Sequence, residues 1–463
     1  MEYVALHPFS NRRVLVGDYH QRKALVMESV LKSHDYKVVI IGAGPVGLAA
    51  AAHLAKRGMS FMVIERSDRV GGHMEEWEHV KLFSPWQYNL DQTAVELLQA
   101  SGWEAPDEND HPTAGEFYQA YLEPLAQLPE IAPFIHYEET AVAISREAFD
   151  KVKVVNREQA PFVIKTRTSG GACKEYLAAA VIDATGTWGQ PNPIGANGLP
   201  ADGEDDAATY ISYGMPNLAH ESLWLKRRVA VIGSGHSAAH NLISLAKAAG
   251  SRNDLELFWI LRGNDTRRVF GGGINDELPE RARLGKQLQQ LVESGRLKVL
   301  TDFKVYAVSE AINGVYLAAT TASGDFTELS VDHVIVATGQ RPDLTMNREL
   351  RVDLDPGLEC VRSLAHMIDP NFHHCGTIAP HGARELKQPE ANFFIVGNKS
   401  YGRAPGFLMI VGYEQVRSVV AYLDGDFDAA FDVKLSLPAT GVCSSEDNPN
   451  CCQTVDATTN SCC

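Results

Sequence analysis

Three glycines near the start of the chain have the spacing of a phosphate-binding turn. The segment VVIIGAGPVG places Gly42, Gly44 and Gly47 directly after a β-branched run. Gly42 permits a tight turn out of a strand, Gly44 lets backbone N–H groups approach a diphosphate, and Gly47 lets the next helix pack closely. The turn, together with its Pro45, predicts a dinucleotide site at the N-terminus of a helix.

An acidic residue downstream supports this interpretation. Glu65 ends the next apolar run, SFMVIER, where a carboxylate hydrogen-bonds a ribose 2′-OH. Arg66 and Gly72, in the following segment ERSDRVGGHM, are assigned to the same site. The alternative is a glycine turn that binds nothing. The preceding strand, the spacing of the glycines and the acidic residue together favour a nucleotide site instead.

A second fingerprint, GSGHSA, follows the run RRVAVI. It contributes Gly233, Ser234, Gly235, Ser237 and Ala238, and the motif tolerates alanine at its third position. The next strand-like run, LELFWIL, ends in an arginine instead of an acid, and two more arginines follow: Arg262, Arg267 and Arg268. A guanidinium suits a 2′-phosphate because its charge is permanent and its donors form a fork. NADPH is therefore favoured over NADH, although any one of these arginines could be an ordinary surface residue.

Two Ala-Thr-Gly segments each end an apolar strand. They are VIDATGTW, with Thr185 and Gly186, and VIVATGQRP, with Thr338 and Gly339. Small residues there allow a nucleotide or an interdomain linker to pass closely, so we assign these four residues to the two nucleotide sites.

The elements around these motifs predict an α/β protein with two Rossmann-like dinucleotide-binding domains. We expect an N-terminal extension (1–35), a first nucleotide domain (36–215) with a helical, aromatic insertion at about 73–135, and a second nucleotide domain (226–340). Residues 341–432 should return to the first domain through the strand ANFFIVGN and a final amphipathic helix, GFLMIVGYEQVRSVVAYLDGD, and 433–463 form a polar, cysteine-rich tail.

Composition narrows the class of partner. The 463 residues carry a formal charge of −16 and are 45% apolar, so nucleic acid and anionic membrane surfaces are not expected partners. Because no long apolar run or secretory signal is seen, we expect a cytoplasmic protein without a membrane anchor. A homo-oligomer is possible, but the sequence does not specify one.

Across about residues 36–425 the chain resembles the two-dinucleotide-binding-domain flavoproteins. That resemblance implies FAD at the first fingerprint, with Glu65 on the adenosine ribose and Gly397 and Asn398 near the ribityl chain. The stretches WGQPNP, GSGHSA, FGGG, KSYGRAP and LPATGVCS resemble flavoproteins of bacterial arsenic-resistance gene clusters.

The departures from that superfamily narrow the chemistry. Disulfide reductases need a redox cysteine pair beside the flavin, and neither CxxC nor CxxxxC occurs near the flavin-binding segments. The F-x-G-x-x-x-H signature of Baeyer–Villiger monooxygenases is also missing before the second fingerprint. The simplest interpretation is a monooxygenase that uses NADPH and oxygen to oxidise a small soft nucleophile, such as a trivalent arsenical. An NADPH-dependent reductase of a quinone, metal ion or protein is the alternative, and a non-catalytic metalloid sensor is less favoured.

Candidate catalytic residues are Arg403 and Tyr401. Arg403 could place positive charge near an anionic reduced flavin, together with the N-terminus of a helix expected to begin near Gly406. A salt bridge in a turn is an equally good interpretation of Arg403.

Five of the 8 cysteines crowd into the tail: Cys443, Cys451, Cys452, Cys462 and Cys463. Thiolates on such a polar segment could gather around a soft metalloid, as in mercuric reductases, which this tail resembles in its vicinal pair. A tail with no function is the alternative.

Overall fold

Apolar runs rich in β-branched residues form the strands that carry the fingerprints. The computed structural model describes residues 36–218, 226–250, 254–264, 270, 278–371 and 378–435. The strands are β1 (Val38–Ile41), β2 (Phe61–Ile64), β3 (Ile135–His136), β4 (Glu139–Arg146), β5 (Phe162–Thr168), β6 (Cys173–Ala178), β7 (Ala180–Asp183), β8 (Ile211–Tyr213), β9 (Arg228–Ile232), β10 (Glu256–Ile260), β11 (Leu297–Leu300), β12 (Lys304–Ala311), β13 (Gly314–Thr320), β14 (Phe326–Val331), β15 (His333–Val336) and β16 (Phe393–Ile395). The α-helices are Pro45–Lys56, Gln92–Ala100, Ala114–Phe117, Glu123–Ala126, His236–Ala249, Pro279–Glu293, Arg362–Ile368, Ala383–Leu386, Met409–Asp424 and Phe427–Phe431.

Two five-stranded parallel sheets form the cores of two units. The first has the order β16-β7-β1-β2-β3 and the second the order β11-β10-β9-β15-β8. Neighbouring strands are parallel throughout both sheets. As expected, β16 returns to the first sheet after the second unit is complete. The expected fold class, α/β with two Rossmann-like domains, is confirmed.

Each unit also carries a three-stranded antiparallel sheet, β4-β5-β6 in the first and β12-β13-β14 in the second. Each precedes the strand, β7 or β15, that ends at an Ala-Thr-Gly segment. The chain therefore builds the same arrangement twice. Strand-like segments of the first unit are predicted from the sequence, whereas β11 and the second antiparallel sheet are not.

The boundary between the units lies earlier than the sequence suggested. We expected residues up to 215 in the first domain, but β8 pairs with β15 in the second sheet. Ile194, Ala201 and Ala207 also pack into the hydrophobic core of the second unit. The second unit therefore begins near residue 194, because the chain after the first Ala-Thr-Gly crosses over at once.

The insertion at about 73–135 is built from short helices around an aromatic core, with Trp86, Phe117 and Tyr121 buried. It also contacts the second unit. The Phe83 ring lies 5.6 Å from the ring of His236, at the start of the helix His236–Ala249. The insertion therefore lies between the two fingerprints as well as beside the first.

The C-terminal helical region differs from the expectation in two respects. The helix Met409–Asp424 begins three residues after Gly406 and is followed by a further short helix, Phe427–Phe431. Gly425, with φ +87°, ends the longer helix in the left-handed conformation that glycine adopts readily. The amphipathic helix is therefore not the last helix of the described chain.

Candidate functional site

The first fingerprint has the geometry of a diphosphate-binding turn. A Cβ on Gly47 would lie 1.9 Å from the carbonyl oxygen of Gly42, so the helix Pro45–Lys56 can pack this closely on β1 only with glycine there. Gly42 has φ +97°, and its Cβ would lie 2.9 Å from the carbonyl oxygen of Ala184. A Cβ on Gly44, by contrast, would meet nothing within 4 Å. The turn therefore leaves space at Gly44, beside Pro45 at the helix N-terminus, where an anion is favoured.

Glu65 braces this turn from the end of β2. Its Oε2 accepts a hydrogen bond of 2.7 Å from the backbone N–H of Ala43, and its Oε1 accepts one of 2.9 Å from that of Ser67. The carboxylate is 7% exposed. Since an ionised carboxylate has about four acceptor positions, a ribose hydroxyl can still bind beside these two bonds.

The neighbouring residues of the first site are also close together. Arg66 contacts His73, and its guanidinium lies 3.3 Å from the Cβ position of Gly189. A Cβ on Gly72 would lie 2.1 Å from Ser67 Oγ, so this position accepts only glycine in the present backbone. The segment after Glu65 thus folds back on the turn.

The second fingerprint repeats the arrangement. A Cβ on Gly233, which has φ +140°, would lie 2.1 Å from the carbonyl oxygen of Ala337. Gly235 begins the helix His236–Ala249, and a Cβ there would meet nothing within 4 Å. Ala238 is fully buried, and Ser234 is exposed beside the open space. Both turns therefore leave the same opening for a diphosphate.

Arg262 lies where the sequence analysis placed it, two residues beyond β10, and its side chain is exposed. Within the described part of the chain its guanidinium makes one hydrogen bond, a long one of 3.4 Å from Nη1 to the carbonyl oxygen of Ala196. The guanidinium can therefore turn to a ligand without breaking a strong bond. Arg267 and Arg268 lie outside the described residues.

The two Ala-Thr-Gly segments meet through Asn192, which the sequence analysis did not single out. Its backbone N–H donates to the carbonyl oxygen of Gly339 at 2.9 Å, and its carbonyl oxygen accepts from Thr338 Oγ1 at 2.9 Å. Its Nδ2 donates to the carbonyl oxygen of Thr338 at 3.1 Å. Asn192 therefore ties the two linkers between the units together.

The segment with Gly397 and Asn398, for which the sequence resemblance implies a place near the flavin, lies beside the first Ala-Thr-Gly segment. The N–H of Gly397, which has φ +66°, donates to Gln415 Oε1 at 2.8 Å. Asn398 Nδ2 donates to Thr187 Oγ1 at 2.6 Å, two residues beyond Thr185 and next to Gly186. The structure thus brings together the first fingerprint, the first Ala-Thr-Gly segment and the segment with Gly397.

A cleft of about 510 Å³ lies between the units. Six of the residues that line it, drawn from both fingerprints' surroundings, are Trp188, Tyr213, Ser237, Gly339, Asn398 and Arg403. Burial, with a hydrogen bond to Glu204, raises the pKa of Tyr213 well above its ordinary value of 10.0, so this phenol stays neutral. The cleft is where a ring bound at each fingerprint could approach the other.

The insertion closes one side of the cleft. Trp188 Nε1 donates to Glu76 Oε2 at 2.7 Å, and the Trp188 ring lies 5.6 Å from that of Trp77. The Trp77 indole N–H is buried, and within the described residues it has no hydrogen-bond partner. A buried donor of this kind, with the open turns at Gly44 and Gly235, fits a site that accommodates a large polar ligand.

The two candidate catalytic residues differ in their position relative to the cleft. Arg403 is exposed and lines the cleft. Tyr401 is fully buried, its ring 5.2 Å from that of Phe407 and its hydroxyl 3.5 Å from His381 Nε2. The structure therefore brings Arg403 to the cleft and leaves Tyr401 in the core behind it.

Cysteines of the described chain do not line the cleft. Cys173 is exposed on β6, and Cys360 is buried. Burial and the nearby Asp355 raise the pKa of the Cys360 thiol to about 12. Over the same residues, no group of three His, Cys, Asp or Glu side chains could hold a metal ion. The five tail cysteines proposed as metalloid ligands lie outside the described residues.

Helices long and apolar enough to cross a membrane are absent from the part of the chain that the structure describes.

The chain is similar to pyridine-nucleotide-dependent oxidoreductases and to monooxygenases. A family model described as pyridine nucleotide-disulphide oxidoreductase matches residues 39–255. An uncharacterised CzcO-like oxidoreductase of Geobacillus kaustophilus is 23% identical over 66% of this chain and 81% of its own. The probable indole-3-pyruvate monooxygenase YUCCA9 of Arabidopsis thaliana is 28% identical over 45% of this chain and 44% of its own, so that match spans less than half of either protein.

Solved structures share the fold. The bacillithiol disulfide reductase Bdr of Bacillus cereus superposes with a TM-score of 0.61 and 18% identity, covering 84% of this chain and 99% of that one. The FAD-bound cadaverine monooxygenase DfoA of Erwinia amylovora gives a TM-score of 0.58 with 14% identity, covering 87% of this chain and 98% of that one. At these identities the likeness concerns the fold, which is common to reductases and monooxygenases.

Proposed function

We propose that this chain, an oxidoreductase that uses FAD and NADPH, is a monooxygenase that adds one atom of O₂ to a small, soft nucleophile. The observation that carries the proposal is the cleft between two open fingerprints, which neither of the two described cysteines lines. No CxxC or CxxxxC pair occurs in the sequence to relay electrons to a disulfide. Electrons from NADPH would then go to oxygen or directly to a substrate.

The residues of the chain bind and orient the two cofactors. The open turn at Gly44 would hold the diphosphate of FAD, and the turn at Gly235 that of NADPH, each at a helix N-terminus. Arg262 would pair with the 2′-phosphate that distinguishes NADPH from NADH. Bound FAD supplies the two-electron chemistry, accepting hydride and reacting with oxygen.

Two further features suit a monooxygenase. Arg403 places a positive charge at the cleft, where it can stabilise developing negative charge. Trp188 lines the cleft, donates to Glu76 of the insertion and packs its ring near that of Trp77, so these side chains would help to exclude water from the reaction. Among the proteins compared, YUCCA9 and DfoA carry monooxygenase in their names.

A trivalent arsenical is one substrate class to test, because arsenic carries a lone pair that can accept oxygen. Each turnover would consume one NADPH, one proton and one O₂, and would release NADP⁺, water and the oxygenated product. The experiment follows NADPH and oxygen consumption by the purified holoprotein with arsenite, methylarsenite, antimonite and alkylamines offered in turn. Product oxygen labelled from ¹⁸O₂, in equal amount to NADPH consumed, is the expected result with one of them.

An NADPH-dependent reductase is the second candidate. The matching family model is described as a disulphide oxidoreductase, and Bdr is a disulfide reductase. In that case quinones, ferricyanide or a disulfide would be reduced without oxygen, and no ¹⁸O would enter any product. This outcome would replace the monooxygenase proposal.

Cysteines of the tail extend the proposal to metalloid capture, since soft trivalent ions prefer thiolates. Truncation after Pro438 tests this, because the body retains both fingerprints. We expect the truncated protein to oxidise NADPH normally but to bind and turn over trivalent metalloid less well at low concentration. Equal binding by the truncated and full chains would exclude capture by the tail.

A further inference from the structure

A lysine and an aspartate form a buried ion pair at the edge of the first sheet. Lys399 Nζ lies 2.7 Å from Asp183 Oδ2, with side-chain exposures of 1% and 0%. Asp183 is the last residue of β7, and Lys399 lies in the 3₁₀ turn Gly397–Tyr401 that follows the neighbouring β16. Neither residue was identified by the sequence analysis.

Burial of this pair needs an explanation other than stability. Lysine is almost never fully buried, and removing both charges from water costs about as much as their attraction returns. The Asp183 carboxylate is also fully used: Oδ1 accepts from Thr185 Oγ1 at 2.8 Å, and Oδ2 accepts from Asn347 Nδ2 at 3.0 Å. Lys399 Nζ itself donates to Thr185 Oγ1 at 3.0 Å. A network this complete fixes positions more than it stabilises the fold.

The residues held in place by this hydrogen-bond network lie around the first fingerprint. Asp183 directly precedes Ala184, whose carbonyl oxygen packs on Gly42 of the phosphate turn. Lys399 directly follows Asn398, which bonds to Thr187. The network therefore joins the end of β7, the first linker and the late glycine segment at the edge where the turn opens.

A second polar group points to a ligand nearby. Asn347 is 1% exposed, and its Oδ1 has no hydrogen-bond partner in the described part of the chain, although its Nδ2 is held by Asp183. The positive charge of Lys399 also acts on Asp343, outside the ion pair. Burial opposes ionisation of Asp343, but hydrogen bonds from Thr345, with the charges of Lys399 and Arg66, hold its pKa below its ordinary value of 3.8.

We propose that Lys399 is a positioning residue for FAD: by its bonds to Asp183 and Thr185 it holds Thr185 and the adjacent Asn398 in place where FAD would bind. This inference rests on FAD as the cofactor of the first fingerprint. It does not depend on whether the reaction is oxygenation or reduction.

The test separates positioning from stability with two variants. In Lys399→Met, Asp183 is left as an unpaired buried charge, which lowers both stability and FAD affinity. In the double variant Asp183→Asn/Lys399→Met no charge is left unpaired, so the unfolding free energy recovers. We expect the double variant to bind FAD about 10-fold or more weakly than the original chain, because the lysine bridge to Thr185 is still lost.

A matched control breaks another buried ion pair of the same unit. Arg157 pairs with Glu390, both with 0% side-chain exposure, and Glu390 also pairs with buried Arg146; none of the three residues lines the cleft. Arg157→Met should lower stability without changing FAD affinity in the protein that remains folded. FAD dissociation constants are measured by quenching of flavin fluorescence on the apoproteins, and visible circular dichroism reports the environment of the bound flavin.

The inference is supported by weak FAD binding and an altered flavin spectrum in the double variant, alongside unchanged FAD binding in Arg157→Met. It is overturned if the double variant binds FAD as tightly as the original chain, or if Arg157→Met weakens binding to the same extent. A failure of the original chain to bind FAD would overturn the cofactor assignment instead, and a failure of ¹⁸O transfer would overturn only the proposed function.

Discussion

The two fingerprints share a turn but differ at their third position and after their second strand. In both, the first glycine has positive φ and packs on the alanine of an Ala-Thr-Gly segment, Ala184 or Ala337. In the first unit Gly47 packs on the backbone of the turn itself, whereas the second unit accepts a methyl group at Ala238. The second turn therefore has room for a methyl group at this position, although both turns leave the same opening.

The acid and the arginine also play unequal parts in the fold. Glu65 is buried and bonded to two backbone N–H groups, so it is part of the first turn before any ligand binds. Arg262 is exposed, and among the described residues its guanidinium makes one long hydrogen bond, to the carbonyl oxygen of Ala196. The first site is therefore built into the folded chain, whereas the second is completed by its ligand.

Substitutions at the third position of the two fingerprints should give the largest difference in the free energy of unfolding. Gly47→Ala places a methyl group 1.9 Å from a backbone oxygen, which neither helix nor strand can avoid without moving. We expect a loss of about 3 kcal/mol in the free energy of unfolding, with reduced FAD content. The matched change Ala238→Gly should cost only about 0.5–1 kcal/mol, from helix entropy. Urea unfolding measures both, and equal losses in the two variants would show that the units pack alike.

Arg262→Ala tests the second site without disturbing the fold. Loss of a charge-assisted contact to the 2′-phosphate should weaken NADPH by about 1.5–3 kcal/mol, or about 10- to 150-fold, and leave NADH nearly unchanged. Arg283→Ala, an exposed arginine of the same unit paired with Glu280, is the control. The dissociation constants of NADPH and NADH are measured for both variants. If Arg262→Ala weakens the binding of the two coenzymes equally, Arg262 does not bind the 2′-phosphate.

Local patterns in the sequence were enough to predict the two turns. Gly42 and Gly233 could be identified because each must follow a strand and precede a helix, and Arg262 because it replaces an acid at a fixed place. Asn192 and Lys399 could not, since each acts through partners far away in the chain: Gly339 for the former and Asp183 for the latter. The boundary near residue 194 was missed for the same reason, because only the pairing of β8 with β15 reveals it.

The helix after the second turn should make the stability depend on pH. Burial and the neighbouring His79 lower the pKa of His240 in this helix from 6.5 to about 4. As pH falls from 6.5 towards 4, the unfolded chain binds a proton at His240 that the folded chain resists, so stability declines over this window.

His240→Gln should remove part of that decline, on the order of 1 kcal/mol after allowance for partial exposure. Thermal unfolding at pH 7.5 and pH 5 measures it. At pH 7.5 the variant should differ little from the original chain, because His240 is neutral in both states. An unchanged pH dependence would show that His240 is solvated in the folded protein.

The most direct test of the account is a pair of valine substitutions at the open position of each turn. Gly44 and Gly235 both have negative φ and no neighbour within 4 Å of an added Cβ, so valine can fold there and would block only a ligand. Flavin absorbance is recorded for each purified variant and then during anaerobic titration with NADPH. We predict that Gly44→Val is folded but colourless, whereas Gly235→Val is yellow and is bleached by dithionite but not by NADPH. Full flavin content in Gly44→Val, or normal bleaching of Gly235→Val by NADPH, would contradict the assignment of FAD to the first fingerprint and NADPH to the second.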